Sequence, residues 1–306
     1  MTDYPPEISD TIVDFDPDTL GRLPIRKDKL LADWRERNVP AAIRVIDALP
    51  EVAGGDLSTR AVDELLVRCH CEMQRISEEF QHGTRVKEVF DALLPALREA
   101  GRSRPLRIVD IGCGTGFVLR WLTAYGALGD DVELIGVDYN AALIDEARRL
   151  AEAEGLKCDF RTANAFALDE PAAVYLSTGV LHHFRGDSLW QFMKLHVRPE
   201  TDAFVHFDFF RSAATPLGSW LFHAVRMREP LAKYDGVLSA VRAHPASHLL
   251  SSARAGAEFQ SVIYGTRLWG LPIPRVFHML VGLRPDVEPL FLNRFARRAT
   301  QLGCLK

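Results

Sequence analysis

The sequence predicts a doubly wound α/β fold. It is a seven-stranded sheet, mostly parallel with its last strand antiparallel, preceded by a helical region and carrying a helical insertion after strand five. Three observations carry that expectation. From residue 106 onward, short apolar runs alternate with segments of helical period, the pattern of strands buried on both faces by helices. A loop with glycines at alternate positions, Gly112, Gly114 and Gly116, follows the first run. The second run closes on an acidic residue, Asp138, at the carboxyl end of a strand, where open parallel sheets bind ligands.

The first 26 residues mix prolines and acids without periodicity and read as an arm. Helical patterning starts at residue 27. Leu30, Leu31 and Trp34 form one short face, and Ile43, Ile46 and Leu49 form a second, with Pro40 in a first-turn position. Past Gly54-Gly55, the residues Val62, Leu65, Leu66, Cys69, Met73, Ile76 and Phe80 recur at three- and four-residue steps. They predict a longer helix, capped by Ser58 or Thr59 and ending near His82-Gly83. Val86, Val89, Phe90, Leu93, Leu94 and Leu97 predict the next helix, over about 84–99, stopped by Gly101. Residues 27–101 are thus expected to form a helical cap, and 102–284 a ligand-binding α/β domain.

Within that domain the strands read as LRIVDI, VELIGV, KCDFRT, AAVYLST, AFVHFDFF, FQSVIYG and PRVFHMLVGL, the last two pairing as an antiparallel hairpin. Asn140 is placed to cap the helix carrying Leu143, Ile144, Ala147 and Leu150. The excess segment 211–243 is the insertion and a candidate lid, a further helix is expected at 245–255, and 285–306 reads as a C-terminal tail.

Composition narrows the function. A chain of 306 residues with 47% hydrophobic and 25% charged residues is ordinary globular usage and contains no long apolar run to span a membrane. A net charge of -4 disfavours nucleic acid, despite Arg294, Arg297, Arg298 and Lys306 near the end. Five scattered cysteines and a start, MTDYPPEISD, without the basic and apolar regions of a secretory signal point to the cytoplasm. Cys69-His70-Cys71 has no second ligand pair nearby and sits on the helical pattern, so no metal is expected.

Two nucleotide-loop patterns fail at Gly112-Cys113-Gly114-Thr115-Gly116. A dinucleotide loop needs a third small residue where Phe117 stands, and a P-loop needs a lysine followed by serine or threonine. The loop suits a ligand without phosphates. Asp138 is placed to accept hydrogen bonds from vicinal ribose hydroxyls.

Acidic residue, G-x-G-x-G and a second acidic residue ending strand two, here Asp110 to Gly116 with Asp138, resemble the class I S-adenosylmethionine-dependent methyltransferases over about 106–210. The resemblance implies a Rossmann-like sheet with S-adenosylmethionine as cofactor and S-adenosylhomocysteine as product. It implies Asp110, Gly112, Cys113, Gly114 and Gly116 around the methionine part, Asp138 on the ribose, and Tyr139 beside the adenine. After strand three the family usually has an acidic residue; here Asn164-Ala165 stands there, its amide oxygen able to accept from the adenine amino group. Thr178 and the segment Val180-Leu181-His182-His183-Phe184 are similar to the L-H-H-F stretch of the small-molecule, ubiquinone and natural-product branch. The acceptor is then a small molecule, partly aromatic or apolar and most readily methylated at oxygen, with N- or C-methylation, or cofactor binding without transfer, as alternatives. A homodimer is compatible with the sequence.

An oxygen acceptor gains from deprotonation, which makes His182 and His183 the candidate bases and His206 a third option in an apolar strand. An extended segment would send the two neighbouring histidines to opposite faces, leaving one toward the substrate. Trp34, Phe80, Trp220, Phe222 and Trp269 are the expected aromatic wall of the acceptor pocket.

Overall fold

A computed structural model describes residues 6–102, 104–169, 171–254, 258–265, 276–295 and 300–305. The helices before the sheet are α1 (Ile8–Ile12), α2 (Lys27–Glu36), α3 (Pro40–Ala48), α4 (Thr59–Glu79) and α5 (His82–Glu99). The alternating part runs β1 (Leu106–Ile111), α6 (Phe117–Tyr125), β2 (Val132–Asp138), α7 (Ala141–Ala153), β3 (Asp159–Thr162), β4 (Val174–Thr178), α8 (Asp187–Leu195) and β5 (Ala203–Phe209). The insertion folds as α9 (Thr215–Arg226) and α10 (Pro230–Arg242), and α11 (Ala246–Ala253) precedes β6 (Gln260–Gly265) and β7 (Phe277–Leu283). The chain closes on α12 (Glu288–Phe295) and β8 (Thr300–Leu305).

The sheet order is β3-β2-β1-β4-β5-β7-β6-β8. Strands β1 to β5 pair in parallel, and β7 lies antiparallel between β5 and β6. That is the expected seven-stranded Rossmann-like plan, with one addition. An eighth strand, β8, pairs antiparallel with β6 inside the stretch expected to be a tail. Before it, Phe291 and Phe295 of α12 stack at 4.9 Å, fully buried against Tyr264 and the strands. Two apolar residues four apart on one helical face suffice to dock a final helix on a sheet. Arg297, Arg298 and Lys306 lie outside the described residues.

Alternation along the strands divides the core. Ile108, Leu176 and Val205 face α5, α6 and α12, whereas Val109, Tyr175 and Phe204 face α8 and α11. A third cluster joins α1, α2, α3 and α4 to Leu231 and Ala232 of α10. Two expectations change here. The 27–101 stretch is not one layer, because α5 buries Val86, Phe90, Leu93 and Leu97 on the sheet while α2 to α4 form the separate cluster. The first helix of the chain lies in the segment read as an irregular arm, with Ile8 and Ile12 buried.

Helix boundaries also differ. The helix expected to end near His82-Gly83 ends at Glu79, since Gln81 takes a left-handed conformation (φ 57°) and reverses the chain. Gly83 is inside α5, where an added Cβ would lie 2.2 Å from the Trp121 ring of α6. It serves close helix packing rather than termination. Ser58 caps α4 at Ala61, and Asn140 caps α7, its Oδ1 accepting the Ala142 N–H at 3.0 Å. Among the described residues no helix is long and apolar enough to cross a membrane.

Candidate active site

The glycine loop leaves β1 and turns into α6, with Gly112, Gly114 and Gly116 at φ 70°, 54° and 71°. Gly112 and Gly116 also stand where a side chain has no room. A Cβ would lie 2.7 Å from Val180 Cγ2 at Gly112 and 2.4 Å from the Phe160 ring at Gly116. The loop is tied to the end of β2, because Gly114 N–H donates to Asp138 Oδ2 at 3.0 Å. The other oxygen accepts the Asn140 N–H at 2.9 Å. Burial raises the Asp138 pKa, opposed by these backbone donors and by His70 of α4.

Two cavities meet over this loop. One of about 420 Å³ is lined by Asp138, Tyr139, Asn164, Ala165, Phe166 and Phe184. The other, about 220 Å³, is lined by Cys113, Gly114, Thr178, His182, Asp235 and Glu7 among others. Gly112, His70, Gly179 and His183 line both. The structure therefore brings together all the predicted site residues except Asp110, buried near the end of β1, and Gly116, at the start of α6, which line neither cavity. Asp110 is 1% exposed, and its Oδ1 finds no hydrogen-bond partner among the described residues. Burial, with Asp138 close by, pushes its carboxyl up to about 8.

Asn164 is used differently from the expectation. Its amide oxygen accepts the Phe166 N–H at 2.9 Å, capping the short 3-10 turn Ala165–Ala167, and its amide nitrogen donates to Pro17 O at 3.1 Å. The aromatic surface next to it comes from Phe166 and Phe184, edge to face at 5.2 Å. Tyr139 meets Phe15 edge-on at 4.8 Å.

The reactive corner forms where β4 ends. Leu181–His183 is a 3-10 turn, not the extended segment that would have split the histidines. A turn of three residues per revolution lets both rings reach one cavity, their centroids 4.3 Å apart. His182 is 3% exposed and bound twice by Asp208 at the end of β5: its backbone N–H donates to Oδ2 at 2.8 Å and its Nδ1 lies 2.9 Å from Oδ1. Nδ1 must carry the proton to donate to a carboxylate, so Nε2 holds the lone pair. Burial opposes charging of His182, but the Asp208 carboxylate and its hydrogen bond outweigh it and raise the pKa. Burial likewise would raise Asp208, yet His182 holds it well below the usual carboxylate range.

His183 is the more open ring, 40% exposed, with Nδ1 at 3.4 Å from Glu7 Oε2 and 3.8 Å from Asp10 Oδ1. His206 is fully buried, 2.9 Å from Ser177 Oγ and packed among Phe192, His196 and Phe204, away from both cavities. Sequence reading passed over Glu7, Asp208 as a partner, His70 as a cavity residue, and Arg242. Only Asp208, one residue from the end of an apolar strand, carried a positional signal; the others reach the site through tertiary packing. Among the described residues, Glu7, His182 and His183 are the one group whose ligand atoms have metal-like spacing, within 4.8 Å of one another. Arg242 Nη1 at 3.1 Å already compensates the Glu7 carboxylate.

Of the expected aromatic wall, Phe80 and Phe222 are 5.2 Å apart and line a third, apolar chamber of about 730 Å³ with Leu221, Val225 and Val276. That chamber shares Ile76, Phe209 and His223 with the loop-side cavity. Trp34 is instead 1% exposed in the α2–α4 cluster, Trp220 is 56% exposed on the outer face of α9, and Trp269 lies outside the described residues.

Residues 108–199, from β1 into the turn after α8, match the family described as "Methyltransferase domain". That segment matches a methyltransferase domain and lies on the Rossmann-like sheet described above. The ubiquinone biosynthesis O-methyltransferase of Ruegeria pomeroyi is 36% identical over 92 residues, 28% of this chain and 35% of that protein. The mitochondrial citrate synthase-lysine N-methyltransferase CSKMT of Homo sapiens is 37% identical over 65 residues, 21% and 26% of the two chains. The chain thus spans about a third or less of the length of these curated relatives. In fold it is similar to the plantazolicin methyltransferase BamL, solved with a triazolic desmethylPZN analog and SAH, at TM-score 0.50 and 14% identity over 72% of this chain and 96% of that one.

Proposed function

We propose that the protein transfers a methyl group from S-adenosylmethionine to an oxygen of a small-molecule acceptor. The observation that carries this reading is the His182–Asp208 pair, an oriented imidazole opening onto the cavity that the glycine loop lines. The site fits the cofactor on two counts: a loop whose glycines leave no space for side chains, and the partnerless Asp110 oxygen behind it. When bound, S-adenosylmethionine supplies a methyl group already activated by its sulfonium. The methionine end would lie against Gly112, Cys113, Gly114 and Thr115, with Thr178 beside it, and would draw on the partnerless Asp110 oxygen behind them. Asp138 takes the ribose, and Tyr139, Phe166 and Phe184 flank the adenine with Asn164 and Ala165.

The protein's own groups then have two tasks: to align the acceptor and to remove its proton. Nε2 of His182 accepts the proton, Asp208 stabilises the imidazolium, and His183 lies beside the same acceptor position. The Phe80–Phe222 chamber takes the apolar part of the acceptor. In this division α1 to α4 with α9 and α10 shape the acceptor side, and the sheet with α5 to α8, α11 and α12 forms the cofactor domain. The free thiols of Cys69, Cys71, Cys113 and Cys158 support a reducing, cytoplasmic setting.

Calorimetric titration with S-adenosylhomocysteine tests the cofactor. Transfer of labelled methyl to a panel of phenols, quinols, carboxylic acids and amines then tests the acceptor, with the new linkage read by NMR. O-methyl products are expected. An N- or C-methyl product overturns the choice of atom, and tight binding without turnover on any acceptor supports a cofactor-binding protein instead.

A further inference from the structure

The segment from Glu7 to Leu20 runs across the mouth of both cavities. Ser9, Asp10, Val13, Phe15, Pro17 and Leu20 line the cofactor-side cavity, and Glu7 and Ser9 line the other. Phe15 rests on Tyr139, Pro17 O accepts from Asn164, and Glu7 reaches His183. Each contact falls on a residue that the proposed function gives to the cofactor or the acceptor.

The segment is clamped by α10. Asp235 Oδ1 and Oδ2 accept the Ile8 and Ser9 N–H groups at 2.7 and 2.9 Å. Arg242 Nη1 pairs with Glu7 Oε1 at 3.1 Å and with Asp10 Oδ2 at 2.9 Å, and Ser239 Oγ donates to Glu7 Oε1 at 3.0 Å. The second Glu7 oxygen is left for His183, and Glu7 is only 1% exposed. A buried carboxylate held this firmly from one side presents a fixed acceptor on the other. His183 Nδ1 lies 3.4 Å from Glu7 Oε2, an ion-pair distance longer than the 2.9 Å His182–Asp208 hydrogen bond, so a second, looser carboxylate–imidazole pair stands beside the first.

We propose that Glu7 is a positioning residue for His183, delivered by an N-terminal strap that closes over the bound cofactor. The inference rests on the reading of His183 as a group facing the acceptor. Closing the strap assembles the second histidine pair and covers the adenosine end together, so the reactive corner is complete only while the cofactor is enclosed. The charged and titratable groups around His183 are His182 on its own turn, Asp208 of β5, Glu7 and Asp10 of the strap, Arg242 and Asp235 of α10, and His70 of α4.

Two measurements on the full chain test it without an acceptor. Histidine ring NMR, assigned with His183→Gln, follows the His183 titration in wild type, Glu7→Gln and Glu7→Asp. Losing the Glu7 charge is expected to lower the His183 pKa by about one pH unit or more, and Glu7→Asp, which retracts the carboxylate, to lower it less. If neither variant moves the titration, Glu7 does not position His183. Hydrogen exchange at Ile8–Ile12 is then compared with and without S-adenosylhomocysteine at a hundred times its Kd, where slowing by up to about 100-fold is expected for a strap that must open to release ligand. Unchanged exchange with ligand bound overturns the strap. No binding at all overturns the cofactor reading and the strap with it, while the His183 titration still decides the role of Glu7. Stoichiometric Mn²⁺ or Zn²⁺ held by wild type and lost in Glu7→Gln makes Glu7 a metal ligand and overturns the proposal.

Discussion

Asp208 holds His182 through both its backbone and its ring, which fixes the tautomer as well as the direction of the side chain. Asp208→Asn keeps the shape but removes the charge, so turnover is expected to fall about 100-fold or more. The acid limb of the rate profile, set in wild type by a His182 pKa above its ordinary value, should move to lower pH. The stability consequence has two edges. The raised His182 contributes stability below its unfolded pKa of about 6.5 that is lost as pH rises through the higher folded value. The lowered Asp208 contributes above about pH 3.9 and is lost as pH falls through its own folded value. Thermal melts of wild type and His182→Gln should therefore differ most between those limits; a gap that widens above neutral pH contradicts the assignment.

Asp110 behaves in the opposite sense. With its carboxyl at about 8, folding keeps it protonated where the unfolded chain ionises it, so its cost to stability grows from about pH 4 to about pH 8. Asp110→Asn, neutral throughout, is expected to gain Tm over wild type more at pH 8 than at pH 5. It should also weaken S-adenosylhomocysteine binding about tenfold or more above pH 8, where the Asp110 carboxyl ionises and the amide cannot supply the same charged hydrogen bond. Unaltered affinity removes Asp110 from the cofactor's holders. At this scale the sequence was most informative where one strand end sets one side chain: Asp138, Thr178 and the histidine pair all line the cavities. It was least informative for Asn164, whose amide serves a local turn and a distant carbonyl, a choice made by neighbours and not by residue type.

Periodicity located the helices because their buried faces follow it, as in α4 with Val62, Leu65, Leu66 and Cys69 inside. It misjudged ends and partners, which depend on what packs across. Gly83 shows why: a glycine near a helix end reads as a stop, yet here it admits Trp121. Gly83→Ala, favourable for an isolated helix, is expected to destabilise the protein by about 1–3 kcal/mol through overpacking, measured by urea unfolding. A neutral or stabilising result places Trp121 elsewhere. In the α9–α10 insertion, Phe222 lines the apolar chamber and not the cavity beside Asp138 and Tyr139. Phe222→Ala should raise the acceptor KM about tenfold or more at unchanged affinity for S-adenosylhomocysteine; weakened cofactor affinity with normal acceptor KM contradicts that division of labour.

Over the whole molecule, the seven-strand plan was legible because β1, β2, β4 and β5 are apolar on both faces and helices separate most of the parallel strands. Strand β8 was not, since the place of TQLGCL is set by pairing with the edge of β6, an interaction that local pattern does not record. The same holds for α1, whose five residues bury two isoleucines only because α10 and the α2–α4 cluster receive them. The clamp on α1 also bears on when the site is finished. The Ile8 and Ser9 amides find their acceptor 227 and 226 residues further along the chain. During synthesis this segment therefore waits unpaired until α10 has been made, and contacts of such long range form late in folding. Residues that precede the sheet in sequence thus settle after it, so a nascent chain can shape its glycine loop well before it possesses the corner where chemistry is proposed to occur.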